Sequence, residues 1–201
     1  MNVMAIHVVD AARPRRKKWT RDEYYRLADG GFFRHRRVEL INGEIIEMPA
    51  VRDLHVAAVE LAGRVLRRVF DEGEFCTRIQ APLHLLGRSA PEPDLAVVRA
   101  GPRDFIGKGH PASALLVIEV SDTSLRYDQT RKAHLYAAAG LLDYWIINLI
   151  DGRLEVRRDP APDPAKHLRY HYASTLIVRE GDVISPLSMP SATIRAADLL
   201  P

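Results

Sequence analysis

The chain has 201 residues, of which 47% are apolar, and this is enough for one sizeable hydrophobic core. Its net charge of +3 and pI near 9.1 permit a polyanionic partner without requiring one. A single cysteine, Cys76, excludes an internal disulfide and fits a reducing compartment. The apolar N-terminal stretch is too short for a signal peptide, and no run approaches the roughly 20 apolar residues of a membrane helix. We therefore expect a soluble, cytoplasmic protein that has no contact with a membrane.

The first segments of the chain separate a tail from a folded region. Residues 1–18 end in the basic run RPRRKK and are interpreted as a flexible tail, because short charge runs are more often solvated than bound to nucleic acid. Residues 19–201 are expected to form a single domain. Thr20 is the predicted N-cap of a short helix, and Glu23 completes a capping box.

A hairpin and a long helix follow. Two alternating apolar runs flank Asn42-Gly43, the strongest short hairpin signal, and predict a hairpin over residues 38–49. Residues 52–71 carry apolar side chains at helical spacing and predict an amphipathic helix. Gly73 is expected to end this helix.

Three extended segments come next. Residues 74–86 form an extended segment with a break at Pro82, and two short apolar runs at 91–98 and 115–122 are predicted strands. A glycine-rich loop joins the two strands. Both faces of the second strand are largely apolar, which is typical of a central strand covered on both sides.

The last part of the chain predicts a helix, a hairpin and more strands. The helix is expected at 128–140, with Asp128 as its N-cap and Gly140 as its C-terminal stop. A hairpin turns at Asp151-Gly152. The final extended segments are expected at 166–174, 175–179 and 183–195. This order predicts an α/β (α+β) fold with a central mixed β-sheet flanked by helices, and with the 38–49 hairpin at one edge.

Each of the two buried-type strands carries one acid, Asp94 or Glu119. A carboxylate in a buried strand is costly unless it is paired. Asp94 begins its strand directly after Pro93, and Glu119 lies near the end of its own strand, so paired strands would bring the two acids together at one edge of the sheet. Two converging carboxylates that repel each other suit Mg²⁺, which uses one or two carboxylates and keeps several waters. Taken singly, Asp94 could be a strand-end acid and Glu119 a member of a structural ion pair.

Lys132 is the predicted positive partner. On a helix that begins at Asp128, Gln129, Lys132 and Tyr136 share one face, and helical side chains lean toward the N-terminus. Lys132 would then reach back toward Glu119 and could stabilise charge on a phosphate. Alternatively it is a solvated lysine, Tyr136 packs in the core, and Gln129 serves only the first turn.

Pro93-Asp94 followed by Glu119-Val120-Ser121 resembles the motif of the PD-(D/E)XK nuclease superfamily, which has the restriction-endonuclease-like fold. The match is closer to its Uma-type family of restriction-endonuclease-like proteins. The similar segments are WTRDEYYRLA, RVELINGEIIEMP, PEPDLAVV, LLVIEVSDTSLRYDQTRKAHLYAAAGLLDYWIIN and SATIRAADLLP.

The resemblance implies a site with one departure from the superfamily motif. The third motif residue is Ser121 where the superfamily has lysine, and Lys132 on the following helix is identified as its replacement. The resemblance implies Asp94 and Glu119 as metal ligands for Mg²⁺ or Mn²⁺. His55 lies where other superfamily members have a polar residue that assists the metal, and it is included among the candidate catalytic residues.

These implications favour a metal-dependent endonuclease that hydrolyses phosphodiester bonds in DNA, without an organic cofactor. The alternative is a catalytically silent nucleic-acid-binding or interaction module on the same fold. One site cuts one strand at a time, so duplex cleavage predicts a homodimer. DNA binding would come from local basic clusters: Arg13, Arg15, Arg16, Lys17 and Lys18; Arg34, Arg36 and Arg37; and Arg103 with Lys108.

Overall fold

The computed structural model describes residues 15–70 and 73–201. The helices are α1 (Arg21–Asp29), α2 (Asp53–Val69) and α3 (125–138), with short 3-10 turns at Pro102–Phe105, His167–Arg169 and Ala196–Asp198. The strands are β1 (Val38–Ile41), β2 (Glu44–Glu47), β3 (Cys76–Ile79), β4 (Leu95–Val98), β5 (Leu116–Ser121), β6 (Asp143–Asn148), β7 (Arg153–Pro162), β8 (Tyr170–Val178), β9 (Val183–Ile184) and β10 (Ile194–Arg195).

A six-stranded sheet lies at the centre of the fold. Its strand order is β3-β4-β5-β6-β7-β8. β5 and β6 are parallel, and every other neighbouring pair is antiparallel. The predicted α/β (α+β) fold with a central mixed sheet is therefore confirmed.

Helices cover both faces of this sheet, which explains the apolar character of both faces of β5. On one face α2 packs over a cluster that includes Ile118 and Trp145. On the other face α3 packs over a cluster that includes Val117, Tyr144 and Ile146. Alternation along β5 places Glu119 on the α3 face, with Val117.

The β1–β2 hairpin forms as predicted, but not at the edge of the central sheet. Asn42 and Gly43 both have positive φ, 49° and 77°, as the turn requires. The two strands form a separate two-stranded sheet. The prediction of a sheet-edge position was wrong because β3 occupies the edge beside β4, and the hairpin packs beside α1 and α3 instead.

The predicted start of helix α1 is confirmed, and the predicted end of helix α2 is not. The Thr20 hydroxyl accepts a bond from the Glu23 backbone N–H, and Glu23 accepts one from the Thr20 N–H, so the capping box is confirmed. Helix α2 ends at Val69, before Gly73. The helix end assigned to Gly73 was therefore too late.

Helix α3 begins earlier than predicted and is not uniform. It starts as an α-helix at Leu125–Tyr127, continues as a π-helix at Asp128–Lys132, and ends as an α-helix at Ala133–Ala138. Asp128 lies inside the helix and is not its N-cap. Gly140 stops the helix as predicted, with a φ of +73°.

The predicted N-terminal tail covers residues 1–18. Residues 1–14 lie outside the described part of the chain, and residues 15–18 lie within it. At the end of this segment Lys17 and Lys18 form ion pairs with Glu23 and Glu44. Across residues 15–70 and 73–201, no helix combines the length and apolar character that crossing a bilayer demands.

Candidate active site

A cleft opens where β4, β5, β1 and the helices α2 and α3 converge. About 440 Å³ of space free of protein atoms lies in this cleft, part of it open to solvent. Asp94, Glu119, Lys132 and His55 all line it, so the structure brings together the four residues that the sequence proposes. The remaining lining residues are Arg37, Glu39, Met48, Pro49, Ala50, Val51, Arg52, Glu92, Val120, Asp122, Ser124 and Asp128.

The pairing of β4 with β5 brings the two acids together. Leu95 lies opposite Ile118 in this antiparallel pair. Asp94, one residue before Leu95, therefore lies opposite Glu119, one residue after Ile118. Directly opposite residues on one face lie about 5 Å apart at Cβ. Both carboxyl groups are buried, and the charge of Asp94 adds to the burial that raises the pKa of Glu119.

Asp94 is held by three donors. Its Oδ1 lies 3.0 Å from His55 Nε2 and accepts a bond of 3.2 Å from the Gln80 amide. Its Oδ2 accepts the backbone N–H of Val120 at 2.9 Å. Burial alone would raise the pKa of Asp94, but the hydrogen bond and charge of His55, the charge of Lys132 and the Val120 N–H outweigh burial and leave the pKa below its usual value. Asp94 is therefore an ionised, fixed carboxylate.

Glu119 contacts two side chains of α3. Its Oε1 accepts bonds from Lys132 Nζ at 2.9 Å and from the Tyr136 hydroxyl at 2.6 Å. Burial raises the pKa of Glu119 well above its usual value, and the charges of Asp128, Asp94 and Glu39 add to the effect of burial, while Lys132 opposes it. Tyr136 was expected to pack in the core; it is buried there and also donates to the site.

Glu39 is a third acid in the cleft, and sequence reasoning missed it. It lies on β1 of the hairpin, is 2% exposed, and accepts a bond from Lys132 Nζ at 3.1 Å. Its other oxygen, Oε2, is buried without a hydrogen-bond partner. The available signal was an acid inside the apolar run VELI, the same kind of signal that identified Glu119.

Asp128 is a fourth buried acid. Its Oδ2 accepts bonds from the hydroxyls of Ser121 at 2.7 Å and Ser124 at 2.6 Å, and its Oδ1 is buried without a partner. Burial raises its pKa, which Lys132 and the two serines oppose. Ser121, which stands where the superfamily motif has lysine, therefore acts as a hydrogen-bond donor to an acid.

The cleft has more buried carboxyl groups than buried cations. Four carboxyl groups, those of Asp94, Glu119, Glu39 and Asp128, face the single ammonium of Lys132. Burial lowers the pKa of Lys132, yet the surrounding acids outweigh burial and raise it well above its usual value, so Lys132 is a permanent cation.

The donor set fits a divalent cation. The excess of carboxyl groups and the two orphaned carboxyl oxygens, one on Glu39 and one on Asp128, are compatible with a further positive centre. No group of three His, Cys, Asp or Glu side chains within residues 15–70 and 73–201 is arranged to hold a metal ion. Mg²⁺ is compatible with this arrangement because it uses one or two carboxylates and completes its shell with waters.

Gln129 does not reach the cleft. Its amide donates to both oxygens of Glu155, at 2.9 and 3.0 Å. Asp128, Lys132 and Tyr136 are spaced four residues apart and share the side of α3 that faces the acids. The wider π-helical turn at Asp128–Lys132 rotates Gln129 further from Lys132 than a regular α-helix would. Single π turns inside α-helices occur frequently at functional sites.

Comparison with known proteins identifies the family and a structure of similar fold. The model of the Uma2 family, described as "Putative restriction endonuclease", matches residues 21–197. The chain belongs to the Uma2 family. A solved structure from Anabaena variabilis ATCC 29413, described as a putative nuclease belonging to DUF820, superposes with a TM-score of 0.63. It shares 19% identity, and the alignment covers 90% of this chain and 96% of that one, which shows a common fold. No curated protein matches the chain.

Proposed function

We propose that this Uma2 protein is a metal-dependent endonuclease that hydrolyses phosphodiester bonds in DNA, using Mg²⁺ or Mn²⁺. The observation that carries the proposal is the excess of buried carboxylates over cations in one cleft, next to a permanently charged lysine. A structural ion pair would need one acid for one lysine. Here four buried carboxyl groups lie around one buried ammonium, and a metal ion would supply the further positive charge that lets them ionise together.

Asp94 and Glu119 would hold the metal ion. Asp94 is the better defined ligand, because three donors fix its position and its pKa keeps it ionised. Glu119 is oriented by Lys132 and Tyr136, which both bond to Oε1. When bound, the metal supplies a water of lowered pKa and neutralises charge on the phosphate.

Lys132 acts as a charge and not as a base, because its raised pKa keeps the ammonium protonated. Its position beside Glu119 lets it stabilise the charge that develops on a phosphate when the water oxygen bonds to phosphorus and one bridging P–O bond breaks. His55 acts through Asp94 as a positioning residue, since its Nε2 lies 3.0 Å from that carboxylate.

DNA is the proposed partner, bound by a homodimer. One cleft cuts one strand, so cleavage of both strands calls for two copies related by a two-fold axis. Light scattering at micromolar concentration measures the assembly, and a strictly monomeric protein that cuts both strands of a duplex would refute the dimer.

The experiment that tests the function is a nuclease assay on plasmid and single-stranded DNA with Mg²⁺, Mn²⁺ or EDTA. Wild-type protein should cleave only with metal, and Glu119→Gln should be inactive. Glu155→Gln is the matched control, because Glu155 is also a buried acid of the sheet but is bonded to Gln129, Asn148, Arg153 and Arg157. Absent cleavage by the wild type would favour the catalytically silent module, and metal-independent cleavage would refute the role given to the metal.

A further inference from the structure

Two arginines at the mouth of the cleft have no role in the site described so far. Arg37 directly precedes β1, and Arg52 directly precedes α2. Both line the cleft together with Asp94, Glu119 and Lys132. Arg37 is half-buried, and Arg52 is exposed.

Neither guanidinium is neutralised by a partner. The ion pairs and hydrogen bonds formed within residues 15–70 and 73–201 include neither side chain. Each is near an acid without bonding to it: the Arg37 charge opposes the burial that raises the pKa of Glu92, and Asp122 feels the charge of Arg52. Arg131, in contrast, is bound to Glu44 at 2.6 Å. Two guanidinium groups in an acid-rich cleft therefore remain available to an external anion.

The wall between the two arginines carries no charge. It consists of Met48, Pro49, Ala50 and Val51, which line the same cleft. The backbone on either side is fixed, because the Met48 N–H donates to the Arg37 carbonyl at 2.8 Å and the Val56 N–H to the Arg52 carbonyl at 3.0 Å. A cation, an apolar surface and a second cation follow the same order as phosphate, uncharged sugar and phosphate along a nucleic acid strand.

We propose that Arg37 and Arg52 bind the phosphates of one nucleic acid strand on either side of the bond to be cut, with the intervening sugar on the 48–51 loop. Planar guanidinium groups suit this role because they bind phosphate with two parallel hydrogen bonds. This inference rests on the proposed function and extends it, since it assigns the substrate contacts of the same cleft.

Binding can be measured separately from cleavage. Fluorescence anisotropy of a labelled single-stranded oligonucleotide in Ca²⁺ buffer, from about 50 to 200 mM salt, gives the slope of log affinity against log salt. Each of Arg37→Gln and Arg52→Gln should lower the affinity and reduce the slope by about 0.7, and the double variant by about 1.4. Arg37→Lys and Arg52→Lys should retain the slope, because the charge is kept, while affinity falls with the loss of the two-bond geometry.

Arg169→Gln is the matched control. Arg169 is exposed and precedes β8 at the end of the sheet opposite to Ser121, so its removal changes the net charge equally without touching the cleft. Its slope should equal that of the wild type.

The outcomes separate the two proposals. Unchanged slopes in Arg37→Gln and Arg52→Gln, slopes reduced equally in Arg169→Gln, or no binding by the wild type would each overturn the strand-binding inference. Reduced slopes in a protein that never cleaves DNA would support the strand contacts and refute the nuclease. DNA cleavage by the wild type, together with unchanged salt slopes in the arginine variants, would support the nuclease and refute the strand contacts.

Discussion

Glu119 and Glu155 lie in the same row of the central sheet, since Glu119 is opposite Ile146 and Ile146 is opposite Glu155. Both are about 2% exposed. Burial raises the pKa of Glu119 well above its usual value, and nearby acids add to this. Burial acts in the same direction on Glu155, but bonds from Asn148, Arg157 and Gln129 outweigh it and lower the pKa. Glu119 therefore has other acids beside its two donors, Lys132 and Tyr136, whereas the hydrogen bonds to Glu155 outweigh its burial.

Metal binding should therefore distinguish the two glutamates. We expect Mg²⁺ to raise the melting temperature of the wild type and of Glu155→Gln, because binding to the native state alone stabilises it. Glu119→Gln should lose most of this shift, with Mg²⁺ affinity at least about 10-fold weaker, since one of two ligands is gone. Differential scanning calorimetry across a Mg²⁺ series measures the shift. An equal loss in both variants would contradict the assignment.

Lys132→Met should separate turnover from metal binding. Removing the ammonium leaves Glu39 and Glu119 without their cation, so we expect a lower free energy of unfolding without Mg²⁺. Mg²⁺ binding should persist, because the negative charge of the cleft increases. Turnover should fall by about 100-fold, the usual cost of a lost electrostatic contact to a reacting group.

Lys166→Met is the control for this prediction, because Lys166 is exposed at the opposite end of the sheet. Single-turnover cleavage and isothermal titration with Mg²⁺ measure the two quantities. If Lys132→Met loses Mg²⁺ affinity as strongly as Glu119→Gln, the role given to Lys132 is wrong.

Tyr136→Phe removes one donor to Glu119 without changing the shape of the core. We expect a loss of about 1–2 kcal/mol in the free energy of unfolding, because a buried carboxyl group loses a hydrogen bond. Cleavage should also fall, since Glu119 is then held by Lys132 alone. Tyr144→Phe is the matched control: it is equally buried, and its hydroxyl bonds to the Asp128 carbonyl at 3.0 Å. Urea denaturation with parallel cleavage assays should show similar stability losses, with the cleavage defect confined to Tyr136→Phe.

His55→Gln should move the acid limb of the pH–rate profile to higher pH. Burial raises the pKa of Asp94, and the hydrogen bond and charge of His55 are the largest of the contributions that lower it. Without His55 the pKa rises, so a higher pH is needed to ionise the metal ligand. The profile of single-turnover cleavage measures the limb.

His84→Gln provides the comparison. His84 bonds to Tyr25 outside the cleft, and burial lowers its pKa to about 4, so its replacement changes no charge at neutral pH. Its acid limb should coincide with that of the wild type. A His55→Gln limb that stays in place, or moves to lower pH, would count against His55 as the residue that positions Asp94.

The sequence by itself determined the features that depend on residues close together along the chain. The Thr20 capping box and the Asn42-Gly43 turn follow from local backbone chemistry, and both are confirmed. Asp94 and Glu119 stand out because an acid in an apolar strand is costly wherever that strand lies.

Tertiary structure decided which distant residues contact the elements that the local patterns form. Glu39 reaches Lys132 across 93 positions of sequence, and only the packing of the hairpin beside α3 makes that contact. Asp128 lies inside the helix and faces the acids, whereas Gln129 bonds to Glu155 on a distant strand, and neither contact is visible in the local sequence. Local periodicity encodes each element and its buried face. The contacts between distant elements, and therefore the charge balance of the cleft, arise only when those faces pack together.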